Sequence, residues 1–293
     1  MSKMQVYSFV GSQWAGVAHL ALAEKGFTPG ADYDIQEIDL GNADNFSPAY
    51  LAINPNGTVP SLTAPSLASP LTSSIDILRH LDSLRPDAHP LVLRDNSNNN
   101  NSDRAQQIID LVHSPQVDTN ILFFRARSVA ELDAKKRGWH KDFIDTRQQR
   151  LETERAAAAG ASHPFYKPKL AENGTLYDIY AKPAGHADDD AFFAESSDLY
   201  RGFAAGMAEL ETLLVLPYAA GASLSEADFH VIPWLAHAMV AAESDIHQVQ
   251  DFSTLEKVLA ESVPGFKVGP RTRAWWKTVA EEASFQKVFP QLH

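Results

Sequence analysis

The sequence contains no cysteine, and its acidic side chains outnumber its basic ones. Without cysteine the chain cannot form disulfides, thiolate zinc sites or a protein thiol nucleophile, so any thiol chemistry must use a thiol that a ligand carries. The formal net charge of −12 argues against nucleic acid or an anionic membrane as the main partner, because both attract basic surfaces. Since the sequence also lacks the ~20-residue apolar run of a membrane span and a leader-like N-terminus, we expect a cytoplasmic protein.

The length of 293 residues is enough for two domains. In the first part, apolar residues alternate between strand and helix spacing. The predicted elements are a strand over 4–10, a helix from 14 to Gly26, a strand over 33–40, a short helix over 48–53, a strand over 58–62 and a helix over 71–81. This β-α-β-α-β-α order predicts an α/β domain with a mixed sheet over residues 1–87.

A polar, low-complexity stretch over 93–103 predicts a linker, which we place at residues 88–102. Beyond it the periodicity predicts an all-helical domain over 103–293, with a bend at Pro115. The predicted helices cover 103–127, 129–158, 195–216, 226–242 and 272–284. Residues 160–195 are richer in Gly, Pro and Asp, so we expect a long loop or an insertion there.

Four sequence features follow one another along the chain. They are Ser12-Gln13 at a predicted helix start, Asn54-Pro-Asn-Gly-Thr-Val-Pro60, the helix opening at Ser73-Ser74-Ile75, and Leu224-Ser-Glu-Ala-Asp-Phe229. In this order they resemble the glutathione S-transferase superfamily, in its theta-like or zeta-like classes or in fungal members with an extended C-terminal domain. The resemblance implies an α/β thioredoxin-like N-terminal domain that binds glutathione and an all-α helical C-terminal domain that holds a second substrate.

The same resemblance implies how glutathione is bound. Pro60 would follow a cis peptide bond, and the backbone of Val59, flanked by Thr58, would pair with the cysteinyl part of glutathione as an added strand does. Ser74 and the free amides of its helix would bind the γ-glutamyl carboxylate. Ser73 stands where the family usually has Glu or Gln, and both serines can also simply cap the helix. Thr-Val-Pro can equally be a plain edge strand.

Activation of the glutathione thiol is assigned to the first helix start. Ser12 aligns with the catalytic serine of theta-like members, and Gln13 and Trp14 follow it in the glutathione-binding set. A free thiol has a pKa near 8.5, so a hydroxyl donor and the positive end of a helix would both favour the thiolate. Tyr7 is the rival catalytic residue, one position from the phenol of tyrosine-type members. The alternatives are that Ser12 is only an N-cap and that Tyr7 is only a core residue.

The remaining candidate residues are assigned to the second-substrate pocket or to the stability of the fold. By resemblance, the first helix after the linker borders the second substrate, and the lining candidates are Asn120, Phe123, Phe124 and Arg127. Ser225 and Asp228 fit a capping box, so we expect Asp228 to matter for stability. No metal is expected, because the histidines lack a third ligand at suitable spacing.

The sequence therefore predicts a glutathione transferase that conjugates glutathione to a hydrophobic electrophile. A glutathione-dependent isomerase or lyase needs the same site, and a non-catalytic ligand-binding or regulatory member stays open. Detoxification and secondary metabolism predict the same motifs. Homodimerisation is implied by the resemblance alone.

Overall fold

The N-terminal half is built on a three-stranded sheet. The computed structural model describes residues 3–93, 101–157, 163–186, 189–245 and 247–292. The strands are β1 (Met4–Ser8), β2 (Tyr33–Glu37) and β3 (Ser61–Thr63), in the order β2-β1-β3. Because β1 is parallel to β2 and antiparallel to β3, the sheet is mixed, as the sequence predicts.

Three helices accompany this sheet: α1 (Gln13–Glu24), α2 (Pro48–Leu51) and α3 (Ser74–Leu84). The chain after α1 reverses at Gly26, whose φ of +68° lies in the left-handed region that suits glycine. Helix α3 begins three residues later than the sequence predicts, since Leu71 instead forms a bridge with Leu62 beside β3. Helices α1 and α3 pack together and bury Val17, Ile77 and Leu78 in the core of the α/β half.

The C-terminal half is helical throughout its described elements, as predicted. Its helices are α4 (Asn101–Val112), α5 (Asn120–Phe124), α6 (Val129–Arg137), α7 (Trp139–Ala156), α8 (Tyr166–Ala181), α9 (Asp189–Leu213), α10 (Glu226–Ala241), α11 (Ser253–Ala260), α12 (Pro270–Ala280) and α13 (Ala283–Val288). Among the described helices, none combines the length and apolar character that crossing a bilayer requires.

Several helix predictions in this half are wrong in detail. The loop expected over 160–195 contains α8 and the start of α9, because Pro168 falls in the first turn of α8, where no backbone N–H is needed. The helix predicted over 103–127 divides at the expected bend around Pro115, and the one over 129–158 divides at Gly138. Helix α11 was not predicted. Residues 94–100 of the predicted linker, residue 158 of a predicted helix, and residues 160–162 and 187–188 of the predicted loop lie outside the described residues.

Helices α7 and α8 pack along each other and carry the C-terminal half back onto the N-terminal half. Near their joined ends, Leu151 and Tyr166 bury Phe46, which belongs to the 3-10 turn Asp44–Phe46 that precedes α2. The Tyr166 hydroxyl donates to the carbonyl of Phe46 at 2.9 Å. Phe165 lies so close to Gly57 that a Cβ there would approach the ring to 2.7 Å. The two halves therefore meet through this helical pair as well as through α1.

Candidate active site

Ser12 caps the N-terminus of α1, directly after the chain leaves β1. Its Oγ accepts a hydrogen bond from the backbone N–H of Ala15 at 3.4 Å, so the capping role is present. This bond uses a lone pair of the oxygen and leaves the hydroxyl hydrogen available to another acceptor. The side chain is half-buried at the positive end of a 12-residue helix, where a negative charge is favoured.

The loop before Pro60 is held by two side chains that the sequence did not single out. Asn54 is fully buried, and its Nδ2 donates to the carbonyl of Thr58 at 2.6 Å. The Tyr50 hydroxyl donates to the same carbonyl at 2.6 Å, and burial raises the pKa of Tyr50, which keeps this donor protonated. An Asn-Pro turn is visible in the sequence, but nothing in the pattern indicates that Asn54 turns inward.

The backbone of Val59 has unused hydrogen-bonding groups. The Val59–Pro60 peptide bond is cis, as the resemblance implies. Within the described chain, neither the N–H nor the carbonyl of Val59 has a hydrogen-bond partner, whereas its side chain is buried. An extended segment of another molecule can add to such a pair of groups as a strand adds to a sheet edge.

The N-terminus of α3 is also unpaired. The amides of Ser74, Ile75 and Asp76 have no partner among the described residues, and Ser74 is only 5% exposed. The expectation that Ser73 caps this helix with its side chain is wrong, because its hydroxyl makes no cap hydrogen bond. The helix therefore presents free donors to an acceptor, which is a suitable arrangement for a carboxylate.

Tyr7 lies in the strand beside this loop. Its ring packs against the apolar cluster formed by Ile38, Tyr50 and Val59, with 6.0 Å between the ring centres of Tyr7 and Tyr50. Its hydroxyl makes no hydrogen bond to a described residue. The structure thus brings Tyr7 and Val59 together, while Ser12 lies four residues beyond Ser8, the last residue of the same strand.

Gln13, predicted to bind glutathione, turns its side chain toward the C-terminal half. The Thr119 hydroxyl donates to its Oε1 at 3.0 Å and lies 2.7 Å from Nδ1 of His237. Because the single hydroxyl hydrogen is used on Gln13, Nδ1 of His237 must carry the hydrogen and donate to Thr119. No sequence motif indicates these hydrogen bonds, which tie the first turn of α1 to α10.

Thr119→Val should destabilise the protein by about 1–3 kcal/mol for each buried group left without a partner. The substitution keeps the shape of the side chain and removes only the hydroxyl that joins Gln13 to His237. Urea unfolding measures the loss, and Thr119→Ser, which keeps the hydroxyl, serves as the control. Equal midpoints for the valine and serine variants would contradict the role of the hydroxyl.

Trp14, the other glutathione-binding candidate on α1, also faces the C-terminal half. Its ring stacks on His113, with 3.8 Å between the ring centres. Nε2 of His113 lies 2.9 Å from Nδ1 of His230, and burial lowers the pKa of His113 to about 4. The side chain of Trp14 is therefore part of the contact between the halves.

The four candidates for the second pocket separate into two groups. Phe123 and Phe124 are buried in an aromatic cluster with Trp139 and Phe143 at the start of α7. Asn120 is exposed and donates to Asp118. The guanidinium of Arg127 forms ion pairs with Glu131 and Glu261.

One open pocket of about 210 Å³ lies between the end of β2 and α2. It is lined by Gln36, Glu37, Ile38, Asp44, Ser47, Ala49, Tyr50 and Ile53. It contains neither Ser12 nor Val59, so we do not assign the reaction to it. Within the described ranges, no group of three or more His, Asp or Glu side chains is arranged to hold a metal ion.

Comparison with known proteins shows what the N-terminal half is similar to. Residues 6–89 match the family model described as "Glutathione S-transferase, N-terminal domain". Over 93 residues the chain is 34% identical to glutathione S-transferase Z1 of Arabidopsis thaliana, a match that covers 32% of this chain and 39% of the relative. The matched part thus spans well under half of that curated relative.

Solved structures extend the likeness to the whole chain. The beta-etherase LigF from Sphingobium sp. strain SYK-6 aligns with a TM-score of 0.62 and 16% identity, over 98% of this chain and 99% of the other. Maleylacetoacetate isomerase from Methylobacterium extorquens, solved with malonate and glutathione, aligns with a TM-score of 0.55 and 19% identity, over 99% and 97%. At such identities the likeness establishes the two-domain fold.

Proposed function

We propose that this chain belongs to the glutathione S-transferase superfamily and is a glutathione-dependent enzyme that transfers the glutathione thiolate to an electrophilic carbon. The match of residues 6–89 to the N-terminal domain of that family and the fold shared with the solved structures described above support the proposal. The observation that carries the proposal is the unpaired backbone of Val59 together with the uncapped N-terminus of α3, since the Leu62–Leu71 bridge joins the two segments. These groups have no hydrogen-bond partner among the described residues. The Val59 backbone is suited to bind the backbone of glutathione, and the free amides of α3 are suited to bind its γ-glutamyl carboxylate.

Glutathione would extend from α3 toward α1. Its γ-glutamyl carboxylate would accept from the amides at Ser74, and its cysteinyl N–H and C=O would pair with Val59. The sulfur would then lie near the N-terminus of α1. There the hydroxyl of Ser12 and the helix end would lower the pKa of the thiol by stabilising its charged form.

The chemical step needs little more from the protein. The thiolate sulfur forms a bond to the electrophilic carbon, and the displaced group leaves with the electron pair of the bond that breaks. The hydroxyl of Ser12 donates to the sulfur before the step and is released as the sulfur loses its charge. Tyr7, which lies in β1 and packs near Val59, is the other hydroxyl that could donate to the sulfur. The side chains of Gln13 and Trp14 fix the first turn of α1 to the C-terminal half.

Calorimetric titration with glutathione tests the proposal directly. We expect saturable binding at millimolar concentration or below, and turnover with a chloronitrobenzene or an unsaturated carbonyl. Absence of binding at millimolar glutathione by a folded sample would end the enzyme proposal. Homodimerisation, a cytoplasmic location and the choice between conjugation and isomerisation stay predictions from the sequence.

Ser12→Ala should lower turnover about 10- to 100-fold while leaving the dissociation constant of glutathione nearly unchanged, since a hydrogen bond to a charged group contributes ~1.5–3 kcal/mol. Steady-state kinetics and calorimetry separate the two effects.

Loss of the N-cap alone must be excluded as the cause. Ser128 caps α6 in the same way, accepting from the N–H of Glu131 at 3.2 Å, so Ser128→Ala is the matched control and should keep full turnover. Unchanged turnover in Ser12→Ala would move the thiolate donor to Tyr7 or to backbone amides.

A further inference from the structure

Helix α7 crosses from one half of the molecule to the other. At its start, Phe143 stacks on Phe124 of α5, with 5.4 Å between the ring centres. One turn from its end, Leu151 packs on Phe46 of the N-terminal half. The middle of α7 therefore lies between its contacts with the two halves.

Arg147 occupies this middle position. Its guanidinium carbon lies 4.3 Å from the ring centre of Phe46 and 5.0 Å from that of Phe143. One ring comes from each half of the molecule, and contact with both limits the rotation of the guanidinium. The five N–H donors of an arginine lie at the edge of its plane, so stacking leaves them free to bind a ligand.

These donors have no protein acceptor among the described residues. No hydrogen bond or ion pair joins Arg147 to another described side chain or carbonyl, although the guanidinium is half-buried. The charge of Glu172 raises the pKa of Arg147, but Glu172 forms its ion pair with Lys169, at 2.7 Å. Burial lowers the pKa of Arg147 to about 10, so the side chain remains charged at neutral pH.

The next arginine on the helix shows the contrast. Arg150 lies 2.8 Å from Glu154 and 3.8 Å from Asp44, so its charge is neutralised within the protein. A half-buried cation without such partners is unfavourable unless something else pairs with it. The planar fork of a guanidinium matches a carboxylate through two parallel hydrogen bonds.

We propose that Arg147 binds a carboxylate of a molecule held between the two halves, and so selects acidic ligands. This inference rests on the proposed function for the place of the reaction. The carboxylate can come from the second substrate or from the glycyl end of glutathione, because Asn45, next to Phe46, donates to the carbonyl of Gly57 at 2.6 Å, two residues before Val59. Arg147 acts in recognition and takes no part in bond formation.

Arg147→Gln tests the inference through two selectivity ratios. The first is the dissociation constant of glutathione against that of its glycyl ethyl ester, measured by calorimetry. The second is kcat/KM for 4-chloro-3-nitrobenzoate against its methyl ester, in which the sulfur replaces chloride on the ring. We expect the wild-type protein to prefer the free acid in one pair, and Arg147→Gln to reduce that preference about 10- to 100-fold.

The pair that responds identifies the source of the carboxylate. Arg150→Gln is the matched control, since it removes a charge one turn away that already has protein partners, and it should leave both ratios unchanged. If folded Arg147→Gln retains both wild-type ratios, the inference is wrong and Arg147 serves only to pack the two rings.

A failure of the proposed function gives a different result. A wild-type protein that binds no glutathione would end the enzyme proposal, and direct titration of 4-chloro-3-nitrobenzoate would still test Arg147. Equal binding of this benzoate by wild type and Arg147→Gln, or binding by neither, would then overturn the carboxylate site.

Discussion

Asp228→Ala should destabilise the protein by at least ~3 kcal/mol, because four buried donors lose the one acceptor that they have among the described residues. Its Oδ1 accepts from the backbone N–H of Ala219 and from Nε1 of Trp275, both at 2.8 Å. Its Oδ2 accepts from the N–H and the hydroxyl of Ser225 at 2.8 and 2.9 Å. This one carboxylate thus caps α10 and fixes α12 to it.

The loss is large in comparison with the total stability of a typical domain, ~5–15 kcal/mol. It should appear as a lower urea midpoint and as a lower yield of folded protein. Asp228→Asn should be less severe, because it keeps one acceptor oxygen.

Asp251, an exposed carboxylate at the start of another helix, serves as a control that shows how much of the stability loss is due to burial. Asp251 accepts from the N–H and the hydroxyl of Ser253 at 2.8 and 3.0 Å, next to α11. Asp251→Ala removes a similar cap in water and should cost ~1 kcal/mol or less. If Asp228→Ala costs no more than Asp251→Ala, the buried network does not stabilise the fold as described.

Local chemistry made much of the fold and part of the site predictable. The capping box of Ser225 and Asp228 and the bend at Pro115 are short-range devices that act within a few residues, and the structure contains both. The first strand and helix boundaries are set by Ser12 and Gly26 in the same way.

The features that sequence analysis missed depend on residues far apart in the chain. Tyr166 lies in a segment rich in Gly and Pro, and its hydrogen-bond partner, the carbonyl of Phe46, is 120 residues away in the sequence. Because this contact forms only in the folded chain, the sequence predicts a loop where the structure has α8. Thr119 and His237 show no motif, because their roles arise only when α1 and α10 bring Gln13 between them. A single sequence without periodic or motif signal cannot place such partners.

Lowering the pH from 7 to 5 should destabilise the protein by several kcal/mol, because buried histidines in the contact between the halves are held neutral. Burial lowers the pKa of His113 and of His237 to about 4, and it lowers the pKa of His230 well below its usual value. For His230, His113 and Arg79 add to this effect, whereas Asp110 partly opposes it at His113.

The sign follows from proton binding. In the unfolded chain these histidines bind protons with a pKa near 6.5. In the folded chain the pKa of His113 and His237 is about 4, and that of His230 is well below its usual value. Between these values the unfolded state holds more protons, so stability falls as the pH falls. Each such histidine contributes up to about 1.4 kcal/mol per pH unit within this window.

Urea unfolding at a series of pH values between 7.5 and 5 measures this slope before most carboxylates titrate. His237→Asn can still donate to the Thr119 hydroxyl but cannot take up a proton, so its stability should fall less steeply with decreasing pH than that of the wild type. A wild-type midpoint that stays constant from pH 7 to 5 would show that these histidines are not held neutral by the fold. Parallel slopes for wild type and His237→Asn would remove His237 from the group responsible.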